Sequence, residues 1–336
     1  RDVFGVRGLG LFAVEGDALQ PVAQPHQYPA CCLATEGRLL VGGAPLGVAF
    51  TLDGGANWQA SWMDYVDSRV VALAADPRVQ ETGVLLAGSE GGGVLRSFDR
   101  GSTWRATNYG LHNYQVLALA WAPAAPKGTW PAWEVVFAGT EDGLYRSPNG
   151  GRAWKRSEGA HGVVLGIAVA PDFHSSGVVL AGTEDTGLWR STDGGHCFTP
   201  VPGAPQQVNA LVARSDGWLL SDGDGIWRSA DGLRWERVVG SEPSLVMLPT
   251  EQGVLAAAQD GASRFAVRAE LGAARVVREG PREQRVEATA GAGPDDEFEG
   301  RGAQRGGGHE LVEALVELEA VISRSASTFG NALSSA

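Results

Sequence analysis

The sequence predicts an all-β fold: a seven-bladed β-propeller of four-stranded blades, with a linker and a helix appended at the C-terminus. Three observations predict it. A turn-like motif returns at intervals of about 40 to 50 residues, the spacing of propeller blades and other repeat arrays. Short apolar runs of strand composition stand at fixed places before each copy. The 336 residues include 48 glycines, which suits many tight turns, and no apolar run approaches the ~20 residues of a membrane helix.

The elements follow in chain order. Residues 3–22 read as strands B, C and D of a first blade, with Glu15 and Leu19 where later copies place an acidic and an aromatic residue. Its missing strand A is expected from residues 284–290, which would close the ring as a one-plus-three clasp. Five copies of the motif come next: Thr51–Trp58 (TLDGGANW), Ser97–Trp104 (SFDRGSTW), Ser147–Trp154 (SPNGGRAW), Ser191–Phe198 (STDGGHCF) and Ser229–Trp235 (SADGLRW). Asp53, Asp99, Asn149 and Asp193 precede Trp58, Trp104, Trp154 and Phe198 by five positions, and Asp231 precedes Trp235 by four. An Asp or Asn oxygen folds back onto nearby backbone N–H groups, glycine accepts positive φ, and Ser or Thr adds a second local acceptor, so the motif encodes a hairpin turn. The aromatic that follows starts the next strand and buries its ring. These residues are therefore read as structural.

Val84–Arg96, Val135–Arg146, Val178–Arg190 and Trp218–Arg228 each read as strand B, a glycine-rich acidic turn and strand C, while Arg69–Asp76, Gln115–Trp121, Val164–Ala170 and Gln207–Ala213 read as strand A. The motif then closes the C–D hairpin. Ser244–Leu248, Val254–Ala258, Arg264–Arg268 and Ala274–Arg278 supply a seventh blade whose motif has decayed. The propeller thus spans residues 1–290. Glycine and charge make 291–308 a flexible linker. His309–Arg324 is expected to be an amphipathic helix, with Leu311, Leu315, Leu318 and Ile322 on one face, and 325–336 a disordered tail. The helix either folds back onto the propeller or docks on a partner or second copy.

Across residues 2–290 the five motifs and the phrase LAGTEDGL resemble the Asp-box, or BNR, repeat family, whose propellers occur in sialidases, xyloglucan hydrolases, sortilin-type receptors and photosystem II assembly factors. The resemblance implies the fold and leaves function open, since the same turn decorates enzymes and binders. A sialidase would bring an Arg-Ile-Pro segment that this sequence lacks, and Arg96, Arg146, Arg190 and Arg228 recur at one blade position, as repeat-structural residues do. A xyloglucan hydrolase would need two propellers. Single-propeller photosystem II assembly factors match in length.

The expected function is therefore a non-catalytic scaffold for a protein or peptide, with a glycoside hydrolase-like enzyme as the alternative. In a propeller, B–C turns and D–A connections share one face. The B–C turns carry Glu90, Glu141, Asp142, Glu184, Asp185, Asp222, Asp224 and Asp260; the connections add Trp62, Tyr65, Tyr109, Tyr114 and His161. Carboxylates in a ring attract a basic partner, and the aromatics offer flat contact surface. A formal charge of −12 argues against nucleic acid. No cofactor is expected, and none of the six histidines has zinc-site spacing. Cys31, Cys32 and Cys197 are read as small buried hydrophobes and not as a disulfide framework. Free cysteines favour a reducing compartment and the resemblance favours export; no signal peptide is visible, but the sequence starts at Arg1 and not at Met, which leaves an upstream piece open, so cytoplasmic and exported locations both stay open.

Overall fold

The computed structural model describes residues 3–6, 10–15, 18–22, 28–35, 37–44, 47–64, 68–126, 128, 134–238, 241, 243, 244, 246–250, 253–257, 265–270, 273–278 and 322–323. Strands β1 (Val3–Val6), β2 (Gly10–Glu15) and β3 (Ala18–Val22) form a three-stranded antiparallel sheet. Five complete blades follow, each antiparallel and in chain order from an innermost strand A to an outer strand D. Blade I comprises β4 (Tyr28–Thr35), β5 (Arg38–Ala44), β6 (Gly47–Thr51) and β7 (Gln59–Ala60), and is followed by the short β8 (Trp62–Met63). Blade II comprises β9 (Val70–Ala75), β10 (Leu85–Ser89), β11 (Gly93–Ser97) and β12 (Thr103–Ala106), with the one-turn helix α1 (Val79–Thr82) between its first two strands. Blade III comprises β13 (Val116–Trp121), β14 (Val136–Thr140), β15 (Gly143–Ser147) and β16 (Lys155–Arg156). Blade IV comprises β17 (Val164–Val169), β18 (Val179–Thr183), β19 (Leu188–Ser191) and β20 (Thr199–Pro200), with α2 (Phe173–Ser176) inserted after β17. Blade V comprises β21 (Ala210–Arg214), β22 (Gly217–Ser221), β23 (Ile226–Ser229) and β24 (Glu236–Arg237). Beyond it, β25 (Val246–Thr250) pairs with β26 (Gly253–Ala257), β27 (Phe265–Glu270) pairs with β28 (Ala273–Arg278), and β26 lies against β27.

The innermost strands β1, β4, β9, β13, β17, β21 and β25 lie side by side in chain order, which is the arrangement of a propeller. Because β1 takes an innermost place beside β4, residues 3–22 supply strands A to C and not the expected B to D. The strand at 284–290, the linker 291–308, residues 309–321 and 324 of the expected helix, and the tail 325–336 lie outside the described residues. Where the sequence placed the last turn of that helix, Ile322–Ser323 (β29) is instead extended and pairs in parallel with Cys32 and Leu33.

Most of the core is built between blades, beside a small cluster of Cys32, Leu39 and Val41 within blade I. One apolar cluster joins Leu33 and Leu40 of blade I to Val70, Leu85 and Trp104 of blade II. The next joins Leu86 and Val94 to Val116, Val136 and Trp154; a third joins Phe137 and Leu144 to Val164, Phe173 and Phe198. Leu180 and Leu188 meet Val208, Trp218 and Leu220 at the following seam. Gly42, Gly88, Gly139 and Gly182 on successive B strands explain the recurrent glycine of the LAG phrase. A Cβ would come within 2.7 Å of Val70 at Gly42, 2.8 Å of Val116 at Gly88 and 2.7 Å of Val164 at Gly139, and Gly182 is equally crowded by Val208. Each glycine therefore makes room for the first valine of the next blade. Cys31 and Cys32 are buried in blade I as expected, whereas Cys197 is exposed: it sits in the turn of blade IV, where its N–H turns inward to Asp193.

Candidate functional site

The two ends of each blade are built differently. At one end the recurrent motif satisfies itself. The Ser97 hydroxyl donates to Asp99 Oδ1 (2.8 Å) and accepts from the Gly101 N–H (2.8 Å), while Asp99 accepts the N–H and hydroxyl of Thr103, each at 2.8 Å. Ser147 with Asn149, Ser191 with Asp193 and Ser229 with Asp231 repeat the first contact at 2.8, 2.7 and 3.1 Å. In blade I the Thr51 hydroxyl, then the N–H and amide of Asn57, hold the Asp53 carboxyl far below its ordinary range. Asp231 is lowered in the same way, chiefly by the N–H groups of Arg234 and Leu233. Burial opposes ionisation at Asp99 and Asp193, yet hydrogen bonds from Thr103 and Ser97, and from Ser191, Cys197 and His196, outweigh it and lower both. The rings of Trp104, Trp154 and Phe198 are buried, and Trp58 and Trp235 are half-buried.

The motifs of blades II, III and IV are also gripped by the preceding blade. Arg96 Nε donates to Gly150 O and Arg146 Nε to Gly194 O, both at 2.8 Å, while the Ser61 and Ser157 hydroxyls reach Gly101 O and Gly195 O at 2.6 and 2.7 Å. The outer edge adds a backbone link: β8 runs parallel to β12, Trp154 N–H donates to Tyr109 O (2.8 Å), and Phe198 N–H to Glu158 O (2.8 Å). Trp62 and Tyr109 belong to this link, with exposures of 56% and 83%.

At the opposite end the B–C turns lean on the D–A connections. Gly91 and Gly93 N–H both donate to Tyr114 O, Asn108 bonds Gly92 O and Val94 N, and Gly187 N–H donates to Gln206 O. Buried hydroxyls close these turns: Ser89 onto Gly93 O (3.1 Å), Thr140 onto Gly143 O (2.8 Å), Thr183 onto Gly187 O (2.7 Å) and Ser221 onto Gly225 O (3.2 Å). The sequence reading missed this second repeated contact, although a Ser or Thr after each B strand signals it.

The candidate residues on this end divide by what already holds them. Asp222 is buried; Oδ1 accepts the N–H groups of Asp224 and Gly225, and Oδ2 the Trp227 indole at 2.7 Å. Glu90 is half-buried and pairs with Arg69 at 3.6 Å. Asp142 accepts the Thr140 hydroxyl and faces Arg156 at 3.7 Å. His161 is exposed; its ring lies edge-on to Trp189 at 4.8 Å and Nδ1 is 2.9 Å from Gly159 O. Glu141, Glu184, Asp185 and Asp224 are exposed, and Tyr114 is half exposed. Tyr65 and Asp260 lie outside the described residues. Among the described residues, no three His, Cys, Asp or Glu side chains converge as a metal site would, and no helix is long and apolar enough to cross a membrane.

No family model matches the chain, and no curated protein matches it. Solved structures do. YCF48 bound to D1 peptide aligns over 74% of this chain and 81% of that one, with 16% identity and a TM-score of 0.55. YCF48 from Cyanidioschyzon merolae aligns over 81% and 89%, with 10% identity and a TM-score of 0.54. The extracellular domain of BT4673 from B. thetaiotaomicron gives 14% identity and a TM-score of 0.56, over 76% of this chain but 37% of that one. An ancestral GH74 enzyme is matched at a TM-score of 0.43 with 22% identity, over 60% of this chain and 27% of the enzyme. At these identities the likeness is one of fold: the chain is a β-propeller.

Proposed function

We propose that the chain is a non-catalytic propeller scaffold, seven-bladed as the sequence is read, that binds a protein or peptide segment carrying basic residues. The contact face is the end bearing the B–C turns. The observation that supports this most is the uneven use of its carboxylates: Asp222 and Asp142 are spent on holding turns, whereas Glu141, Glu184, Asp185 and Asp224 face solvent. Solvated carboxylates on the same end as the half-exposed Tyr114 would give a basic peptide both charge and a flat apolar surface. That a protein of the same fold, YCF48, has been seen bound to a peptide agrees with this use of a propeller.

An arrayed library of lysine- and arginine-bearing peptides, followed by calorimetric titration of the best binder, tests the reading. Reversing Glu141 and Asp185 to Lys is expected to weaken that binder at least tenfold at low salt, with the loss shrinking as salt screens the charges. Equal affinity for the wild type and the reversed protein would dismiss this face. Hydrolysis of a fluorogenic glycoside panel would instead favour the enzyme alternative.

A further inference from the structure

The innermost strands of a propeller line a central channel, and here they do not line it alike. Among the described residues, the sheets of blades III, IV and V end at β13, β17 and β21, and β9 is likewise the last strand on the inner side of blade II. Blade I goes one strand further: its order is β29, β4, β5, β6, β7, with β29 on the channel edge of β4. The pairing is parallel and sets Ile322 beside Cys32 and Ser323 beside Leu33. β29 also lies against β1 and β9, the two neighbours of β4 in the ring. A segment from the far end of the chain thus enters the channel and extends the sheet of blade I.

Burial along the inner ring follows the same division. Cys32, Leu73, Leu119, Ile167 and Leu211 hold one register position in blades I to V, opposite Val41, Ala87, Ala138, Ala181 and Leu220. Cys32 and Leu73, on the two complete blades that β29 lies against, are 0% exposed. Leu119, Ile167 and Leu211, further round the ring, are half-buried. The residue two places earlier repeats the contrast, Ala30 and Val71 being buried, Leu117 and Leu165 half-buried. A bare strand edge presents N–H and C=O groups on which another strand can form. At β4 that edge is taken, and the apolar wall beside it is covered.

We propose that the channel edge of β4 is an acceptor site for an extended peptide strand, and that the segment at Ile322–Ser323 is its resident occupant, held in cis. Main-chain hydrogen bonds supply the recognition, so the site asks of its occupant an extended stretch free of proline and little in the way of charge. A segment of the same chain competes at a high effective concentration, which shields the edge from peptides in trans. The acidic B–C turns play no part in this pairing, and the proposal does not depend on what binds them.

Residue-resolved hydrogen exchange on the full chain is the first test. In the wild type the channel-edge amides of residues 30–33 are expected to exchange about tenfold or more slowly than those of residues 116–119. In Ile322→Pro, which removes an N–H and breaks the added strand, the two sets should exchange alike. The second test titrates a fluorescein-labelled peptide of residues 318–327 against both proteins. It should bind Ile322→Pro about tenfold or more tightly than the wild type, and the same peptide carrying proline in place of Ile322 should bind neither. Equal exchange at the two strands of the wild type overturns the proposal, whether or not the variant folds. Equal affinity of the labelled peptide for the two proteins, or binding that the proline-bearing peptide matches, overturns it as well.

Discussion

The seams on either side of blade IV use the same residue with opposite results. At the III–IV seam Arg146 Nε donates to Gly194 O at 2.8 Å. At the IV–V seam Arg190 stands at the same strand position, one residue before the Ser that opens the motif, and its Nε is buried without a partner. The difference lies in the receiving turn. Blade V shortens the motif by one residue and keeps one glycine, Gly232, where blade IV has Gly194 and Gly195. Blade I shows the converse: Phe50 replaces the arginine, and Arg38 from the neighbouring strand stacks 4.7 Å from the Phe50 ring and donates to Asp99 O, Arg100 O and Ser102 Oγ of blade II at 3.3, 2.8 and 2.9 Å. A seam contact is thus a property of two blades, and a residue repeated in one of them guarantees nothing.

The glycines facing the next blade give the sharpest way to break this picture. Gly139→Val should cost about 3 kcal/mol, because its methyls must enter space filled by Val164, and urea denaturation reads the loss. A cost below about 1 kcal/mol would mean that the blades are not packed this tightly. Next in size, Arg146→Gln should cost about 2 kcal/mol through loss of a charge-assisted, half-buried bond to Gly194 O, while Arg190→Gln should stay within about 0.5 kcal/mol. Inserting a glycine after Gly232 should then raise the cost of Arg190→Gln; equal costs at the outset would remove the seam comparison. At the other end, Asp222→Ala should lose about 1 to 2 kcal/mol by stranding the Trp227 indole, whereas Asp185→Ala should change stability by less than about 0.5 kcal/mol.

The smallest effect concerns pH. The carboxyls of Asp99 and Asp193 are lower in the folded chain than the ordinary aspartate value of 3.8, so the unfolded chain binds more protons between the two. Their contribution is complete above about pH 5 and fades as the pH falls below the unfolded value and through their folded ones. Asp99→Asn with Asp193→Asn should therefore flatten the acid limb of a stability curve, as Asn149 already supplies an amide at that place in blade III. An unchanged slope below pH 4 would show that other groups set the acid limit.

Much of the architecture could be read from the chain because turn chemistry is local. Asp99, Ser97 and Gly101 find one another within four positions, so spacing alone announces the hairpin. The glycine of the LAG phrase was visible but not interpretable, since what it avoids is a valine about 25 residues ahead in another blade. The candidate face was legible as a set of acidic turns and not as a set of roles: what separates Asp222 from Asp185 is its burial, the N–H groups of Asp224 and Gly225 and the Trp227 indole, all of which are set by how the turn folds. Trp62 and Tyr109, chosen as contact aromatics, take part through their backbones in the outer link between blades.

The grip of each arginine on the following turn has a temporal side. Arg96 emerges from the ribosome before Gly150, and Arg146 before Gly194, so a newly made blade carries an open hand that only later synthesis can fill. Assembly at these two seams then has a direction, with blades II and III each waiting on the blade that follows.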